Sequence, residues 1–185
     1  MTKAQLTVLA GPTAVGKGTV VAALTKRFPT LNVSISATTR DPRPGELNGV
    51  HYYFVSAQEF DAMIERGDML EWALVHGKNK YGTPRGPVDE ALAAGKPVLL
   101  EIDLAGARQV RTTRPDAQFI FLAPPSWEEL ERRLIGRGTE SPDEQARRLA
   151  TARVELEAAS EFDHVVINDD VERAVDELAR LIGLE

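Results

Sequence analysis

The sequence predicts an α/β fold: a parallel sheet core flanked by helices. Three observations carry this. Short apolar runs alternate along the chain with segments of helical spacing. Two of the runs, Pro97–Ile102 and Phe119–Ala123, are almost continuously apolar, as strands covered on both faces must be. The first run, Gln5–Ala10, passes through a glycine-bearing turn, Gly11–Lys17, directly into the helical pattern of Thr19–Arg27.

The remaining elements follow in order. Val33–Ala37 and Tyr52–Val55 read as strands. Asp41–Gly49 between them holds two prolines and two glycines and reads as loop. Ser56–Glu59 is a capping box, with Val55 and Phe60 placed as a hydrophobic staple, and its helix should stop near Gly67. Met69–Val75 is a further strand candidate, and Gly77–Gly86 reads as polar and irregular. Val88–Ala94 is helical with Gly95 as its C-terminal cap, and a helix to about Arg114 follows the Pro97–Ile102 strand. Pro124-Pro125 breaks the chain. Capping boxes at Ser126 and Ser141 open two more helices, the second with Pro142 at its first position. Val165–Ile167 reads as a last buried strand and Val171–Ile182 as a last amphipathic helix. Residues 34 to 82 break the alternation and read as a strand-rich insertion.

A chain of 185 residues accommodates one core with small insertions. Hydrophobic residues at 43% and charged residues at 27% are globular proportions, which excludes wholesale disorder. The absence of cysteine excludes disulfides, thiolate catalysis and zinc–thiolate sites. A net charge of −6 argues against a broad basic face, so no nucleic acid polymer is expected as a partner. No apolar run approaches the ~18 residues of a membrane span. Met1–Leu9 is too short and polar for a signal peptide, so no membrane association and a cytoplasmic location are expected. His51, His76 and His164 show no metal-ligand spacing. Monomer and homodimer both remain open.

Gly11-Pro12-Thr13-Ala14-Val15-Gly16-Lys17 fits G-x-x-x-x-G-K between a strand and a helix, the context the chemistry requires. Backbone N–H groups of such a loop point at phosphate oxygens, the helix N-terminus adds positive potential, and Lys17 reaches the outer phosphates. The sheet is therefore expected to be of P-loop NTPase type, the bland alternative being a plain glycine turn. Gly18 stands where a magnesium-ligating Ser or Thr is usual, and Thr19 follows. Thr19 is expected to contact a phosphate, with Mg²⁺ held mostly through water and the nucleotide.

Arg40 and Arg43, three apart in an irregular loop, suit a doubly charged phosphate, because guanidinium forks match its oxygens. Taken alone, the pair reads equally as solvated charge. Asp103 ends an apolar strand, where ligands of parallel sheets sit, and its alternative is a helix N-cap before Leu104. The segment S-A-T-T-R-D-P-R-P-G-E at Ser36–Glu46, L-E-W-A at Leu70–Ala73, Y-G-T at Tyr81–Thr83, E-I-D-x-x-G-A at Glu101–Ala107 and G-R-G-T-E at Gly136–Glu140 accompany the phosphate loop in that order. Together they make the chain resemble guanylate kinases over nearly its whole length.

The resemblance implies a single guanylate-kinase-like domain. Its core would be about 1–33, 84–125 and 160–185, its GMP-binding insertion about 34–83 and its helical lid about 126–159. It implies ATP as phosphoryl donor with Mg²⁺, and GMP as acceptor. Gly11 through Thr19 would cradle ATP, with Asn168 near the adenine. Arg40, Arg43, Tyr52 and Tyr81 would hold the GMP phosphate. Ser36, Glu71 and Thr83 would read guanine, and Asp103 would lie near base and metal. A carboxylate at Glu71 can accept from both N1–H and the 2-amino group of guanine, a donor pair that adenine lacks. Family members often have serine where Thr83 stands. Lys17, Arg133, Arg137 and Arg148 would serve phosphoryl transfer, which needs charge neutralisation more than a base.

Interleaved acidic residues make a salt-bridged helix surface the reading for Arg132, Arg147 and Arg153. Helical spacing places Arg133 and Arg137 on one face. Asn168 reads equally as a helix cap with Asp169. Trp72 and Trp127 read as packing residues. Two other function classes stay open at this point: a related small kinase with another acceptor, and an inactive interaction module.

Overall fold

A computed structural model describes residues 3–136 and 138–184. A five-stranded, all-parallel sheet forms the core. It contains β1 (Leu6–Ala10), β2 (Asn32–Val33), β7 (Val98–Glu101), β8 (Gln118–Ala123) and β9 (His164–Ile167), in the spatial order β2-β7-β1-β8-β9. Alternate residues of the central strands feed opposite layers. Leu9, Leu99, Ile120 and Leu122 point to one layer, with Val20, Val21 and Leu24 of α1 (Lys17–Arg27) and the stripe Ala174, Val175, Leu178, Ala179, Ile182 of α7 (Val171–Ile182). Leu6, Val8, Val98, Leu100 and Phe119 point to the other, with Val88 of α3 (Arg85–Ala93) and Val110 of α4 (Leu104–Thr113). Each fully buried Val, Leu, Ile or Phe side chain among these contributes about 1.5–3 kcal/mol, which makes the two layers the main source of stability.

A second sheet carries the insertion. Its strands are β3 (Ala37–Thr38), β4 (Tyr53–Phe54), β5 (Met69–Val75) and β6 (Asn79–Pro84), in the order β4-β3-β6-β5. Its small core joins Ala37, Phe60 and Met69, with Phe60 supplied by α2 (Ala57–Glu65). Two further helices, α5 (Trp127–Ile135) and α6 (Pro142–Glu157), pack through Leu130, Leu134 and Ala152. Among the described residues no helix is long and apolar enough to cross a membrane.

Four expectations need correction. The strand expected over Val33–Ala37 is two strands in two sheets, because the chain leaves the core between them. Gly77–Gly86 is not irregular: Asn79–Pro84 is β6, hydrogen-bonded on both edges by β3 and β5, and α3 already begins at Arg85. The last strand is not buried. It lies at the sheet edge, with only Val166 inside and Val165 and Ile167 exposed. The three predicted caps all form, but only Ser141 and Glu144 make the reciprocal box. The Glu59 and Glu129 carboxylates turn instead to Arg66 and to Arg132 and Arg133. Helix α5 ends at Ile135, and Arg137, expected on one face with Arg133, lies outside the described residues.

Candidate active site

The phosphate loop leaves β1 and closes on the first turn of α1. Gly16 takes φ +94°, the left-handed region, and a Cβ there would also lie 2.8 Å from the Asn168 amide nitrogen. Glycine is thus required twice over at this position. The Val15 side chain is buried in the core. Its carbonyl accepts from Asn168 Nδ2 at 2.8 Å and from Arg133 Nη1 at 3.1 Å. Asn168 is therefore a buried prop of the loop. The helix cap considered for it belongs to Asp170, whose side chain accepts from Arg173 N, while Asp169 pairs with Arg173.

The loop borders a crevice of about 360 Å³ completed by Glu101, Asp103 and Glu155. Lys17 Nζ donates to the Ile102 carbonyl at 3.0 Å. Burial pulls the Lys17 pKa down, and the charges of Glu101, Asp103 and Glu155 oppose that pull. A Cβ at Gly18 would lie 4.0 Å from Glu101 Oε1, and Thr19 is exposed one residue further on. Glu155, which the sequence does not single out, arrives from α6. Its Oε1 is shielded from water without a hydrogen-bond partner. Burial pushes its pKa up, and the Thr13 backbone and Lys17 resist this.

The second half of the site lies on the insertion sheet. Glu71 on β5 is paired in register with Thr83 on β6, and Thr83 Oγ1 donates to Glu71 Oε1 at 2.8 Å. Ser36 immediately precedes Ala37, which pairs with Gly82, beside Thr83. Asp103 is the N-cap of α4 and accepts from Gly106 N at 2.8 Å. A Cβ on Gly106 would lie 3.1 Å from both Asp103 Oδ1 and Glu71 Oε2, so the missing side chain makes room for two carboxylates at one helix terminus. Burial pushes the Glu71 pKa up, Thr83 opposes this, and the Asp103 charge adds to it. Asp103 also lines the crevice, so the two halves of the site adjoin.

Arg40 lies toward the other edge of this sheet. Its guanidinium stacks over Tyr52 at 5.3 Å, and Tyr52 meets Tyr81 edge-on at 6.0 Å. Glu46 grips Arg40 at 2.8 and 3.0 Å and also accepts from Arg43 N at 2.7 Å. The Arg40 hydrogen bonds hold Glu46 at a pKa of about 2, so the pair remains charged at any ordinary pH. The Arg43 side chain is exposed in the same loop.

A family model described as guanylate kinase matches residues 3–185. The chain belongs to the guanylate kinase family. It is 60% identical over 177 residues to a guanylate kinase of Leifsonia xyli, covering 96% of this chain and 70% of that one. It is 60% identical over 179 residues to a guanylate kinase of Thermobifida fusca, covering 97% and 91%. Among solved structures it resembles the guanylate kinase of Anaplasma phagocytophilum, with a TM-score of 0.73 and 31% identity over 99% of this chain and 86% of the other. The expected parallel core and the family resemblance are both borne out.

Within this guanylate kinase fold the expected residues form four groups. The phosphate loop, Lys17 and Asp103 line one crevice. Glu71 and Thr83 belong to neighbouring strands, with Ser36 just ahead of β3 and Asp103 beside Glu71, and Arg40, Tyr52 and Tyr81 form a cluster. Arg133 and Asn168 meet at the back of the phosphate loop. Arg148 stands apart, exposed on α6 and paired with Glu140. Arg132 pairs with Glu129, and Arg153 stacks on Trp127, as a helix-surface role requires. His51 accepts from Leu47 N at 2.9 Å within its loop.

Proposed function

We propose that this chain transfers the terminal phosphoryl group of ATP to the phosphate of GMP, and of dGMP, giving ADP and GDP or dGDP. The observation that carries this is Asp103. It caps the helix against which Glu71 lies and also borders the phosphate-loop crevice, so the base-reading carboxylate and the phosphate cradle share one edge. Glu71, with Thr83 and Ser36, reads guanine. Arg40, Arg43, Tyr52 and Tyr81 take the acceptor phosphate. The loop amides and Lys17 hold the donor phosphates and neutralise charge as the bridging oxygen leaves. The acceptor phosphate oxygen is already anionic, so no general base is assigned. The lid, about residues 126–159, excludes water that would otherwise take the phosphoryl group and supplies Arg133, Arg137 and Arg148.

The chemistry of the donor set fits a magnesium ion carried chiefly by the nucleotide. Among the described residues no group of three His, Cys, Asp or Glu is placed to hold a metal, and Gly18 offers no hydroxyl. Asp103 and Glu101 would hold such an ion through its waters. When bound, Mg²⁺ supplies charge neutralisation on the donor phosphates. Gly18→Ser places a hydroxyl on the side facing Glu101. The expected result is half-maximal activity at several-fold lower Mg²⁺, read from a titration at fixed ATP; an unchanged titration would refute this account of the site. A cytoplasmic enzyme, monomeric or homodimeric, with neither membrane nor nucleic acid polymer as partner, completes the reading.

The test is ADP release in a coupled assay with ATP and Mg²⁺ and, in turn, GMP, dGMP, AMP, UMP and CMP. Substantial turnover is expected with GMP and dGMP alone. Turnover with AMP as large as with GMP would overturn Glu71 as the base reader, and GMP binding without any turnover would point to an interaction module.

A further inference from the structure

The strand that carries Glu71 is the outer strand of its sheet, and its remaining edge faces α4 of the core. Three side-chain hydrogen bonds close that edge. Trp72 N donates to Gln109 Oε1 at 3.0 Å, and Gln109 Nε2 donates back to the Trp72 carbonyl at 2.9 Å. Thr113 Oγ1 donates to the Leu70 carbonyl at 2.8 Å. The backbone groups immediately before and after Glu71 are thus both held. The Gln109 amide uses its acceptor and its donor as a neighbouring strand would.

Gly106, Gln109 and Thr113 are spaced three and four apart, so they form one stripe of α4. Gly106 makes room for the Glu71 carboxylate, and the next two residues of the stripe grip the strand behind it. This matters because the β5–β6 register is irregular between Met69 and Glu71. A bulge re-aims side chains, and a one-residue slip turns each side chain to the opposite face of the sheet. Directly beyond that irregularity, Glu71 must stand opposite Thr83 with its carboxylate beside Asp103.

We propose that Gln109 is a positioning residue for base selectivity: its two-way bond to Trp72 fixes strand β5 so that the Glu71 carboxylate meets the guanine edge. This rests on Glu71 being the guanine reader. Gln109 touches no substrate and acts through Glu71.

The experiment compares kcat/KM for GMP and for IMP, which lacks the 2-amino group, in four forms: wild type, Gln109→Leu, Glu71→Gln and the double variant. Gln109→Leu preserves approximate size and removes both bonds. The preference for GMP over IMP is expected to fall about tenfold, through the KM for GMP, while kcat and the KM for ATP stay within about twofold. In the double variant the preference should fall no further than in Glu71→Gln alone, because the Gln109 effect passes through Glu71. Gln109→Glu keeps the acceptor for Trp72 N but sets an oxygen against the Trp72 carbonyl. It carries the test if Gln109→Leu does not fold, with the same loss expected.

An unchanged preference in the Gln109 variants, with Glu71→Gln impaired, would overturn the proposal while leaving Glu71 as reader. So would losses that multiply in the double variant, since a merely structural tether would act independently. An unchanged preference in Glu71→Gln would remove the reading on which the proposal stands.

Discussion

Lys17→Ala is expected to lower turnover about 1,000-fold or more while leaving GMP affinity within about twofold. Removing one preorganised charge from a developing anion costs other enzymes about 100-fold to 1,000-fold, and cations on a transferring phosphoryl group are worth more. Here Lys17 is, among the described residues, the single ammonium lining a crevice that also contains Glu101, Asp103 and Glu155. Without it those three carboxylates face the incoming phosphates with nothing from α1 but backbone dipole, so both ATP binding and the transfer step should suffer. In the proposed site GMP meets Glu71, Thr83 and the Arg40 cluster on the other sheet, none of which bonds to Lys17. Titration calorimetry with GMP, beside single-turnover measurement of ADP, separates the two effects. A GMP affinity that collapses together with turnover would show that the two halves of the site are not independent. Arginine is not expected to rescue, because its planar fork cannot replace a compact ammonium bonded at 3.0 Å to the Ile102 carbonyl.

Local signals and distant ones differ sharply in how far the chain betrays them. The strand–loop–helix of the phosphate site, the N-caps at Ser56, Ser126 and Ser141 and the amphipathic α7 are each set by residues a few positions apart, so spacing reveals them. Strand β6 is the opposite case. Asn79–Pro84 is polar and holds both glycine and proline, and it becomes a strand only because β3 and β5 bond to its two edges. The exposed Val165 and Ile167 misled for a related reason: an apolar run shows that a strand exists, but its place at the sheet edge is a property of strand order. Within the site, the motif residues were legible through the family resemblance, whereas their supports were not. Glu46 belongs to a motif, but its grip on Arg40 does not show in sequence, and Gln109 behind Glu71 and Glu155 above the phosphate loop are ordinary polar residues there. The last two derive their roles from partners far along the chain. Asn168 was found as a residue, but its partner is the Val15 carbonyl of the loop.

Glu71→Gln is expected to reduce kcat/KM for GMP about 100-fold while changing the weak activity toward AMP little. The glutamine keeps the size of the side chain and one acceptor oxygen. Its amino group, however, faces one of the two adjacent guanine donors, so a charge-assisted bond is replaced by a donor–donor clash in a part-buried position. The Thr83 hydroxyl, now donating to Glu71 Oε1 at 2.8 Å, can rotate to suit either side chain, so the strand pair itself should survive. Wild-type acid behaviour supplies an independent check. Burial and the nearby Asp103 charge raise the Glu71 pKa, so Glu71 takes up its proton at a higher pH than an ordinary glutamate. Once protonated it offers guanine a donor where an acceptor is needed, much as glutamine does. The preference for GMP over AMP should therefore decline in the wild type as pH falls through that raised pKa. Glu46, held at about 2, keeps Arg40 paired throughout the same range and contributes nothing to the decline. In Glu71→Gln the preference should be low at every pH and free of that acid limb. A variant that retained the limb would place the titrating group elsewhere, and one that retained the preference would remove Glu71 from base recognition altogether.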